Sequence, residues 1–257
     1  MTWELSVAAI TQAASNVNCD AVGVNGWSFT GPRPAVWSAR HLVSGPEAFV
    51  VADGIQPGYG GLGARLLAEQ ASTPSHVHDS KTVTQTIAAV HEELLADDYF
   101  FDYWNIKPDQ LRLPGATVVG CRFDLADRAA PVLLFNVGDA SAFFLKDGCL
   151  TKESISDRTE SGMLTQAVGG GPPADPTPHI VVLDQLAAHN RVLLCSDGLT
   201  DTLQYAELEA LLRLPSIPGK VAAELLATTL QKRPADDVTA IVIDLTDAGP
   251  RRRFTSR

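Results

Sequence analysis

Four apolar segments of the chain each place an aspartate at one end, and this recurring pattern could support metal chemistry. In residues 192–198, a Val-Leu-Leu-Cys-Ser run is followed by Asp197 and a glycine. Comparable segments carry Asp53, Asp139 and Asp236. An apolar run that ends in an acidic residue is typical of a buried strand with a carboxylate at its tip. A single aspartate of this kind is most often a turn residue, because its short side chain hydrogen-bonds to the nearby backbone.

Four aspartates brought to one place would repel one another unless cations lay between their carboxylates. A ligand set of aspartates, without cysteine and with few histidines, favours Mg(II) or Mn(II) over zinc. Two such ions close together can activate a bridging water and bind a phosphoryl oxygen. The residue types therefore indicate metal-assisted hydrolysis of a phosphate ester.

Length and composition narrow the class of protein. The 257 residues are 45% hydrophobic, which is ample for one large domain or two small ones. The net charge of −10 disfavours a nucleic-acid-binding face. No apolar run approaches the roughly 20 residues that span a membrane, and the N-terminus does not have the pattern of a signal peptide. The four cysteines are scattered, without a Cys-x-x-Cys pair, which predicts reduced thiols and a cytoplasmic location.

Hydrophobic periodicity predicts the elements that must position the aspartates. Strands are expected over residues 3–10, 21–24, 48–53, 117–123, 132–137, 142–145, 179–183 and 192–195, and helices over 60–70, 82–96 and 218–230. Asp147-Gly148 predicts a hairpin turn and antiparallel pairing. Asp201 is expected to cap a leucine-rich helix, and Asp236 to open the last strand. Residues 25–45 are interpreted as a loop or irregular hairpin, and the aromatic-rich residues 97–113 have no clear period.

Six segments, in this order, resemble the motifs of the metal-dependent protein phosphatases of the PPM family (type 2C). The sequence Cys-Ser-Asp-Gly-Leu-Thr-Asp at 195–201 is close to the family motif C-S-D-G-L-T-D. The resemblance extends over about residues 18–245, and its segments are 51–63, 115–117, 137–141, 164–169, 195–201 and 236–239. Any one of these motifs is weak evidence, but six in order with family-like spacing are a strong indication of the fold.

The resemblance implies an α/β layered sandwich in which two stacked, mainly antiparallel β-sheets are flanked by α-helices. It implies a metal centre at one edge, between the sheets, with two Mn or Mg ions and a third, weaker one. The residues implied as its ligands or supports are Asp20, Asp53, Gly54, Asp139, Asp197 and Asp236. Among them, Asp139 would help Asp197 to hold the third ion, and Asp20 would act through water. Residues 1–247 are expected to form this single domain, and residues 248–257 a basic, disordered tail.

The sequence departs from the family pattern at positions that, in the family, bind the substrate phosphate. The family arginine in R-x-x-N-E-D is Ser15 here, and the glutamate of that motif is Cys19. The segment 154–164, which in the family is a longer flap beside the active site, is short. Arg33 or Arg40 could replace the missing arginine, although surface positions are favoured for both. The metal-ligand positions are thus kept, while the phosphate-binding positions are not.

The leading hypothesis is a metal-dependent phosphoprotein (Ser/Thr) phosphatase. A metal-activated water would attack phosphorus, with no catalytic side-chain nucleophile, and the partners would be a phosphoprotein substrate and a cognate Ser/Thr kinase. The alternative is a pseudophosphatase that acts as a regulatory protein-binding module. A hydrolase of a small phosphorylated metabolite is a third interpretation, because the short flap would leave the site open. Neither a membrane nor a nucleic acid is expected as a partner, and the sequence does not indicate the oligomeric state.

Overall fold

Strand β5, Pro46–Ile55, explains why this chain forms layers. Its Phe49 and Val51 side chains enter one apolar cluster, and Val50 and Ala52 on the opposite face enter another. Successive side chains of a strand point to opposite faces, so a strand with a continuous apolar stretch, as at residues 48–52, must be covered on both sides. The long strands of this protein therefore require both a second sheet and a layer of helices.

The computed structural model describes residues 2–31, 35–42, 45–55, 60–96, 113–124, 131–170, 175–183 and 190–248. The other strands are β1 (Thr2–Gln12), β2 (Ala21–Val24), β3 (Trp27–Phe29), β4 (Ala35–Leu42), β6 (Gly115–Asp124), β7 (Val132–Val137), β8 (Ser141–Lys146), β9 (Cys149–Lys152), β10 (Val168–Gly169), β11 (His179–Leu183), β12 (Arg191–Cys195) and β13 (Val238–Ala248). The helices are α1 (Gly60–Ala71), α2 (Ser80–Leu95), α3 (Asp197–Thr200), α4 (Tyr205–Leu212) and α5 (Pro218–Gln231).

The strands form two sheets, and every strand pair within the described residues is antiparallel. The first sheet has the order β4-β1-β13-β12-β8-β9. The second has the order β11-β7-β6-β5-β2-β3, with β10 paired to β6. Strands β1 and β13 pair along their whole length, from Thr2 opposite Ala248 to Gln12 opposite Val238. The two ends of the described chain are thus joined at the centre of the first sheet.

Three apolar clusters separate the layers. The central cluster lies between the sheets and includes Leu5 of β1, Phe49 of β5 and Ile243 of β13. A second cluster lies between the second sheet and helices α1 and α2. A third lies between the first sheet and helices α4 and α5. The result is the sandwich that the sequence predicted, with two stacked antiparallel sheets flanked by helices.

Helix boundaries follow local sequence signals. Asp79 caps α2, because its side chain accepts a hydrogen bond from the Thr82 amide at 2.8 Å, and the Thr82 hydroxyl accepts from the Asp79 amide. The apolar face of α2 is buried as predicted. The expected cap at Asp201 is wrong: Gln204 is the N-cap of α4, whereas Asp201 ends α3. Gln204 is better placed because Glu207, three residues later, accepts from its backbone amide at 2.9 Å.

The interpretation of residues 25–45 as irregular is wrong in part. They contain strands β3 and β4, and β4 pairs with β1 from Ala35 opposite Thr11 to Leu42 opposite Glu4. Its mixed small, aromatic and charged residues do not alternate clearly, so its strand conformation depends on pairing with a distant partner. The aromatic residues 97–112 and the basic tail from residue 249 lie outside the described ranges. Within those ranges no helix is long and apolar enough to cross a membrane.

Alanine substitutions at two glycines should have opposite effects, because Gly23 of β2 is packed tightly against α1 and Gly219 of α5 has space around it. A Cβ atom at Gly23 would lie 2.2 Å from the Ala68 carbonyl oxygen of α1, whereas at Gly219 in α5 its nearest neighbour would be the Ala8 Cβ at 4.0 Å. We expect Gly23→Ala to lower the free energy of unfolding by about 1–3 kcal/mol, because helix and strand must separate. Gly219→Ala should raise it by up to about 1 kcal/mol through helix propensity. Urea unfolding of both variants tests this, and equal stability of the two would contradict the predicted contact.

Candidate metal centre

Three of the predicted aspartates converge at one edge of the sandwich. Asp53 lies near the end of β5, Asp139 in the turn between β7 and β8, and Asp197 at the start of α3 after β12. One carboxylate oxygen of each lies within 4.8 Å of the others. Asp53 and Asp139 are buried, and Asp197 is half-buried. Strand ends from both sheets thus deliver three carboxylates into one small volume.

The turn that presents Asp139 depends on Gly138. This glycine has a φ of +93°, which is a conformation that residues with a Cβ rarely adopt. A Cβ there would also lie 2.5 Å from the side chain of Thr117 on β6. The Gly-Asp motif therefore serves two purposes: Gly138 allows the backbone conformation of the turn, and Asp139 supplies one carboxylate.

Crowding of like charges raises the pKa values of this group. The pKa of Asp53 lies well above its ordinary value, first because the carboxyl is buried and then because Asp20, Asp197 and Asp139 repel its charge. The pKa of Asp197 is raised to about 6 by burial and by Asp139 and Asp236, against the opposing effect of a nearby arginine. Ionised carboxylates are therefore costly here unless cations compensate them.

Asp20 lies deeper than the three clustered aspartates. Its side chain is almost fully buried, and its Oδ2 accepts a hydrogen bond from the Ser196 hydroxyl at 2.8 Å. Burial raises its pKa to about 7; hydrogen bonds from Thr239 and Ser196 oppose this rise, and repulsion by Asp237 and Asp236 adds to it. Asp20 is thus adjacent to the cluster, and its support of a metal ion through water stays a prediction.

Asp236 and its neighbour Asp237 have different positions. Asp236 is exposed, yet close enough to raise the pKa values of Asp20, Asp53 and Asp197. Asp237 is buried and accepts hydrogen bonds from the backbone amides of Ala14, at 2.7 Å, and Cys19, at 2.6 Å. Asp237 therefore fixes the N-terminal loop at the edge of the centre. Sequence reasoning missed this role, since two adjacent aspartates gave no sign of which one turns inward.

Gly54, the remaining predicted ligand, is half-buried beside Asp53 in β5 and lies opposite Ala116 of β6. The strand therefore places its backbone next to the acidic cluster. A backbone carbonyl oxygen is a neutral ligand that Mg and Mn accept together with carboxylates, so Gly54 stays a predicted ligand.

Arg158 is the main residue of the site that sequence reasoning missed. Its Nε donates to Asp139 Oδ2 at 2.5 Å, its Nη2 contacts Asp197 Oδ2, and its Nη1 donates to Asp201 Oδ2 at 3.0 Å. Partial burial lowers the pKa of this guanidinium, but its contacts with the three carboxylates raise it by more. The arginine lies in the short polar segment after β9. The sequence showed only a basic residue in a loop that follows the hairpin, which did not indicate a contact with the aspartates.

Asp157 holds this segment against the turn that carries Asp139. Its backbone amide donates to the Gly138 carbonyl at 2.9 Å, and its Oδ2 accepts from the Gly138 amide at 2.8 Å. Its Oδ1 contacts Gln166 Nε2 at 2.9 Å and His179 Nε2 at 2.7 Å. Asp157 was not among the predicted site residues, and the structure gives it a positioning role.

The predicted departures from the family pattern have structural counterparts. Ser15 is exposed in the loop that Asp237 holds, and its hydroxyl accepts from the Val17 amide at 3.4 Å. Arg40, one suggested substitute for the missing arginine, pairs in register with Ser6. Ser6 is five residues along β1 from Thr11, so Arg40 lies roughly 16 Å from Thr11, where β1 ends near the site. Arg33, the other suggestion, lies outside the described residues.

The donor set is suited to divalent cations. Asp197 Oδ1 is buried and has no hydrogen-bond partner within the described part of the chain. An orphaned carboxylate oxygen beside two further carboxylates is an unfavourable arrangement in the absence of a cation. Oxygen-only ligands of this kind match the preferences of Mg and Mn rather than zinc. We therefore regard the cluster as a candidate metal centre.

The raised pKa values predict how stability depends on pH when chelator is present. Because the pKa of Asp20 rises from 3.8 in the unfolded chain to about 7 in the folded protein, the folded state binds more protons between these values. The free energy of unfolding should therefore fall as the pH rises from about 4 to about 7, by on the order of a few kcal/mol. Thermal unfolding across this range measures the effect.

Asp20→Asn is the matched variant for this measurement, because it keeps the shape of the side chain and removes the titrating group. Its stability should depend less on pH over the same range, and saturating Mn(II) should flatten the wild-type profile. An identical slope for Asp20→Asn and wild type would contradict the assignment of this pH dependence to Asp20.

Solved structures that share this architecture include Ser/Thr phosphatases. The catalytic domain of PstP in complex with two manganese ions is 20% identical, with a TM-score of 0.68, and the match covers 96% of this chain and 100% of that one. The S. agalactiae serine/threonine phosphatase is 14% identical, with a TM-score of 0.70 and coverage of 95% and 100%. The PPM phosphatase MsPP from Mycobacterium smegmatis, in complex with cacodylate, is 18% identical, with a TM-score of 0.66 and coverage of 93% and 97%.

Comparison with models of known protein families gives no match. Comparison with curated protein sequences gives none either. At identities of 14–20%, likeness to solved structures establishes the fold alone. The chain therefore has the fold of the PPM-type Ser/Thr phosphatases over nearly its whole length.

Proposed function

We propose that this chain is a metal-dependent phosphoprotein (Ser/Thr) phosphatase. The observation that carries the proposal is the convergence of Asp53, Asp139 and Asp197, with carboxylate oxygens within 4.8 Å of one another. The proposal is also supported by Asp197 Oδ1, which is buried and has no hydrogen-bond partner among the described residues. The solved phosphatases of this fold supply the reaction class, and one of them holds two manganese ions.

The residues of this chain would have distinct roles at such a centre. Asp53, the Gly54 carbonyl, Asp197 and Asp236 would hold two ions, Mn or Mg, and Asp139 would join Asp197 at a third. Bound ions would supply charge that activates water and stabilises the phosphoryl group during transfer. The hydrogen bond from Ser196 would orient the carboxylate of Asp20 toward the ions, which it would support through water.

The buried cysteines do not offer a competing nucleophile. Cys121 and Cys195 have no exposed surface, and burial raises the pKa of both thiols. Thiols of raised pKa in an apolar surrounding are poor nucleophiles, since the thiolate is the reactive form. Cys121 and Cys195 are therefore unsuited to form a covalent cysteinyl phosphate.

The substrate would be a protein phosphorylated on serine or threonine, with a cognate kinase as its counterpart in the cytoplasm. The second candidate, a pseudophosphatase that binds phosphoproteins, is favoured by one observation. Ser15 stands where the resemblance expects a phosphate-binding arginine, and among the described residues its hydroxyl contacts only Val17. An enzyme with this site would have to hold the phosphate mainly through its metal ions.

Asp197→Asn should abolish metal-dependent turnover. It removes the negative charge of a ligand shared between ions, so we expect a loss of at least about a hundredfold, equivalent to several kcal/mol of lost transition-state stabilisation. The assay is hydrolysis of a phosphopeptide and of p-nitrophenyl phosphate with Mn(II), Mg(II) or chelator. Asp175→Asn, at a fully exposed carboxylate, is the matched control and should retain wild-type rates.

The outcomes of this assay separate the candidates. Metal-dependent turnover that persists in Asp197→Asn would contradict the assignment of the site. Wild-type protein that binds Mn(II) without turnover would favour the binding module. Turnover of p-nitrophenyl phosphate and small phosphate esters, but not of the phosphopeptide, would instead favour a hydrolase of small metabolites.

Ser15→Arg should raise the rate of phosphopeptide hydrolysis. A bidentate, charged contact with phosphate is worth about 1.5–3 kcal/mol, which corresponds to roughly a ten- to hundredfold increase. Ser75→Arg, at an exposed serine beyond α1, controls for the added charge. Equal rates for the two variants would mean that position 15 does not face the substrate phosphate.

A further inference from the structure

Arg158 is the one arginine whose described contacts enter the acidic cluster itself. Two of its three carboxylate partners, Asp139 and Asp197, belong to that cluster, and the third, Asp201, lies at the more exposed edge. Its side chain is 27% exposed, so the guanidinium lies partly within the site. A cation supplied by the chain therefore lies where carboxylate repulsion is greatest.

We propose that Arg158 is an internal competitor for a divalent ion at the Asp139–Asp197 pair. The inference rests on the proposed metal centre, and it concerns how many ions that centre holds. The guanidinium takes Oδ2 of Asp139 and Oδ2 of Asp197, so an ion that needs these oxygens must displace it. Asp197 Oδ1, which has no partner in the described residues, stays available to an ion on the side of Asp53.

The position of Arg158 is imposed by the fold rather than by a flexible side chain alone. Asp157, its neighbour, is tied to Gly138 by hydrogen bonds of both backbone and side chain, at 2.9 and 2.8 Å. Residue 158 also forms a bridge with Leu164 across the short flap segment. These contacts fix the backbone at residues 157 and 158, and they hold the guanidinium beside Asp139 and Asp197.

The chemistry of the guanidinium makes it a selective competitor. It carries a permanent charge and a planar fork of donors, so it can neutralise two carboxylates at once without displacing either. It binds water and phosphate only through hydrogen bonds and does not coordinate them as a metal ion does. With Arg158 in place, the centre would hold two inner ions on the side of Asp53, and it would bind a third ion at the outer site, the Asp139–Asp197 pair, only weakly.

Manganese titration tests the inference without reference to catalysis. Isothermal titration calorimetry of the wild-type chain and of Arg158→Ala would give the number and affinity of Mn(II) sites. We expect Arg158→Ala to gain one further Mn(II) equivalent or to tighten the outer site by at least about tenfold, because the ion no longer displaces charge-assisted hydrogen bonds. Arg213→Ala is the matched control, since Arg213 pairs with Glu209 on the surface.

Asp201→Asn is a second variant that leaves both cluster ligands of Arg158 intact. Asp201 is 60% exposed and holds the outer nitrogen of the guanidinium. Loss of this contact should loosen Arg158 and tighten the outer Mn(II) site by a smaller factor than Arg158→Ala does. If Asp201 were itself a ligand of the ion, the substitution would weaken that site instead, which would overturn the inference.

Thermal unfolding supplies a third readout. In chelator, Arg158→Ala should melt at a lower temperature than wild type, because the carboxylates lose their internal cation. On addition of Mn(II), its melting temperature should rise by more than that of the wild type, since the stabilisation of the folded state by a ligand grows with the logarithm of the affinity. Arg158→Lys, which keeps the charge but not the fork, should lie between the two.

An unchanged or reduced number and affinity of Mn(II) sites in Arg158→Ala would overturn this inference and leave the proposed phosphatase function standing. If neither the wild-type chain nor any variant binds Mn(II), both the competition by Arg158 and the proposed phosphatase function would be overturned. Tighter binding in Arg158→Ala without any phosphatase turnover would support the competition and remove the proposed activity.

Discussion

Repulsion among buried carboxylates is the constraint on which the rest of this structure depends. Asp53, Asp139 and Asp197 bring carboxylate oxygens to within 4.8 Å of one another, and Asp20 lies beneath them. Two like charges about 4 Å apart near a protein surface repel by about 4 kcal/mol. An arrangement of this cost persists only if the scaffold dictates it and cations offset it. The scaffold meets the first condition, and Arg158 meets the second in part, at Asp139 and Asp197.

The scaffold dictates the arrangement because each aspartate is attached to an element that cannot move alone. The sheets are joined by a shared apolar core, and β1 pairs with β13 along its full length. At the site, Ser196 donates to Asp20, and its hydroxyl accepts from the Thr239 amide at 3.0 Å, which ties β12 to β13. Asn18 donates to Thr11 at 2.7 Å and so ties the N-terminal loop to the same network. Buried polar groups that are mutually satisfied make the rim rigid.

Charge compensation is shared between the chain and its proposed ions. Arg158 neutralises part of the outer pair, Asp139 and Asp197, whereas Asp53 and Asp20 have no such partner among the described residues and keep raised pKa values. The inner carboxylates thus have the greater need of metal. A site built in this way would hold its inner ions for chemistry while its own arginine limits access to the outer position.

The strands and the aspartates at their ends could be predicted from the sequence because both are encoded locally, whereas the stacking of two sheets with the aspartates at one edge was implied by the family resemblance. Strand periodicity gives β5, β7 and β12, and motifs a few residues long place Asp53, Asp139 and Asp197 at their ends. The roles of Asp157 and Arg158 could not be predicted in this way. Arg158 meets Asp139 and Asp197 across 19 and 39 residues of sequence, through the path of a short polar segment. Nothing in that segment indicates which way its side chains turn.

The sequence by itself therefore determined the strands and helices that build the layers, the reaction class to be tested and the candidate acidic ligands. Only the tertiary structure decided that β4 completes the first sheet, that Asp237 binds the amides of Ala14 and Cys19, and that Arg158 enters the cluster. The physical reason is the range of the interactions. Apolar alternation and turn chemistry act between neighbours, whereas hydrogen bonds between loops join residues such as Ala14 and Asp237, which are 223 positions apart. Their geometry exists only after the sheets have stacked.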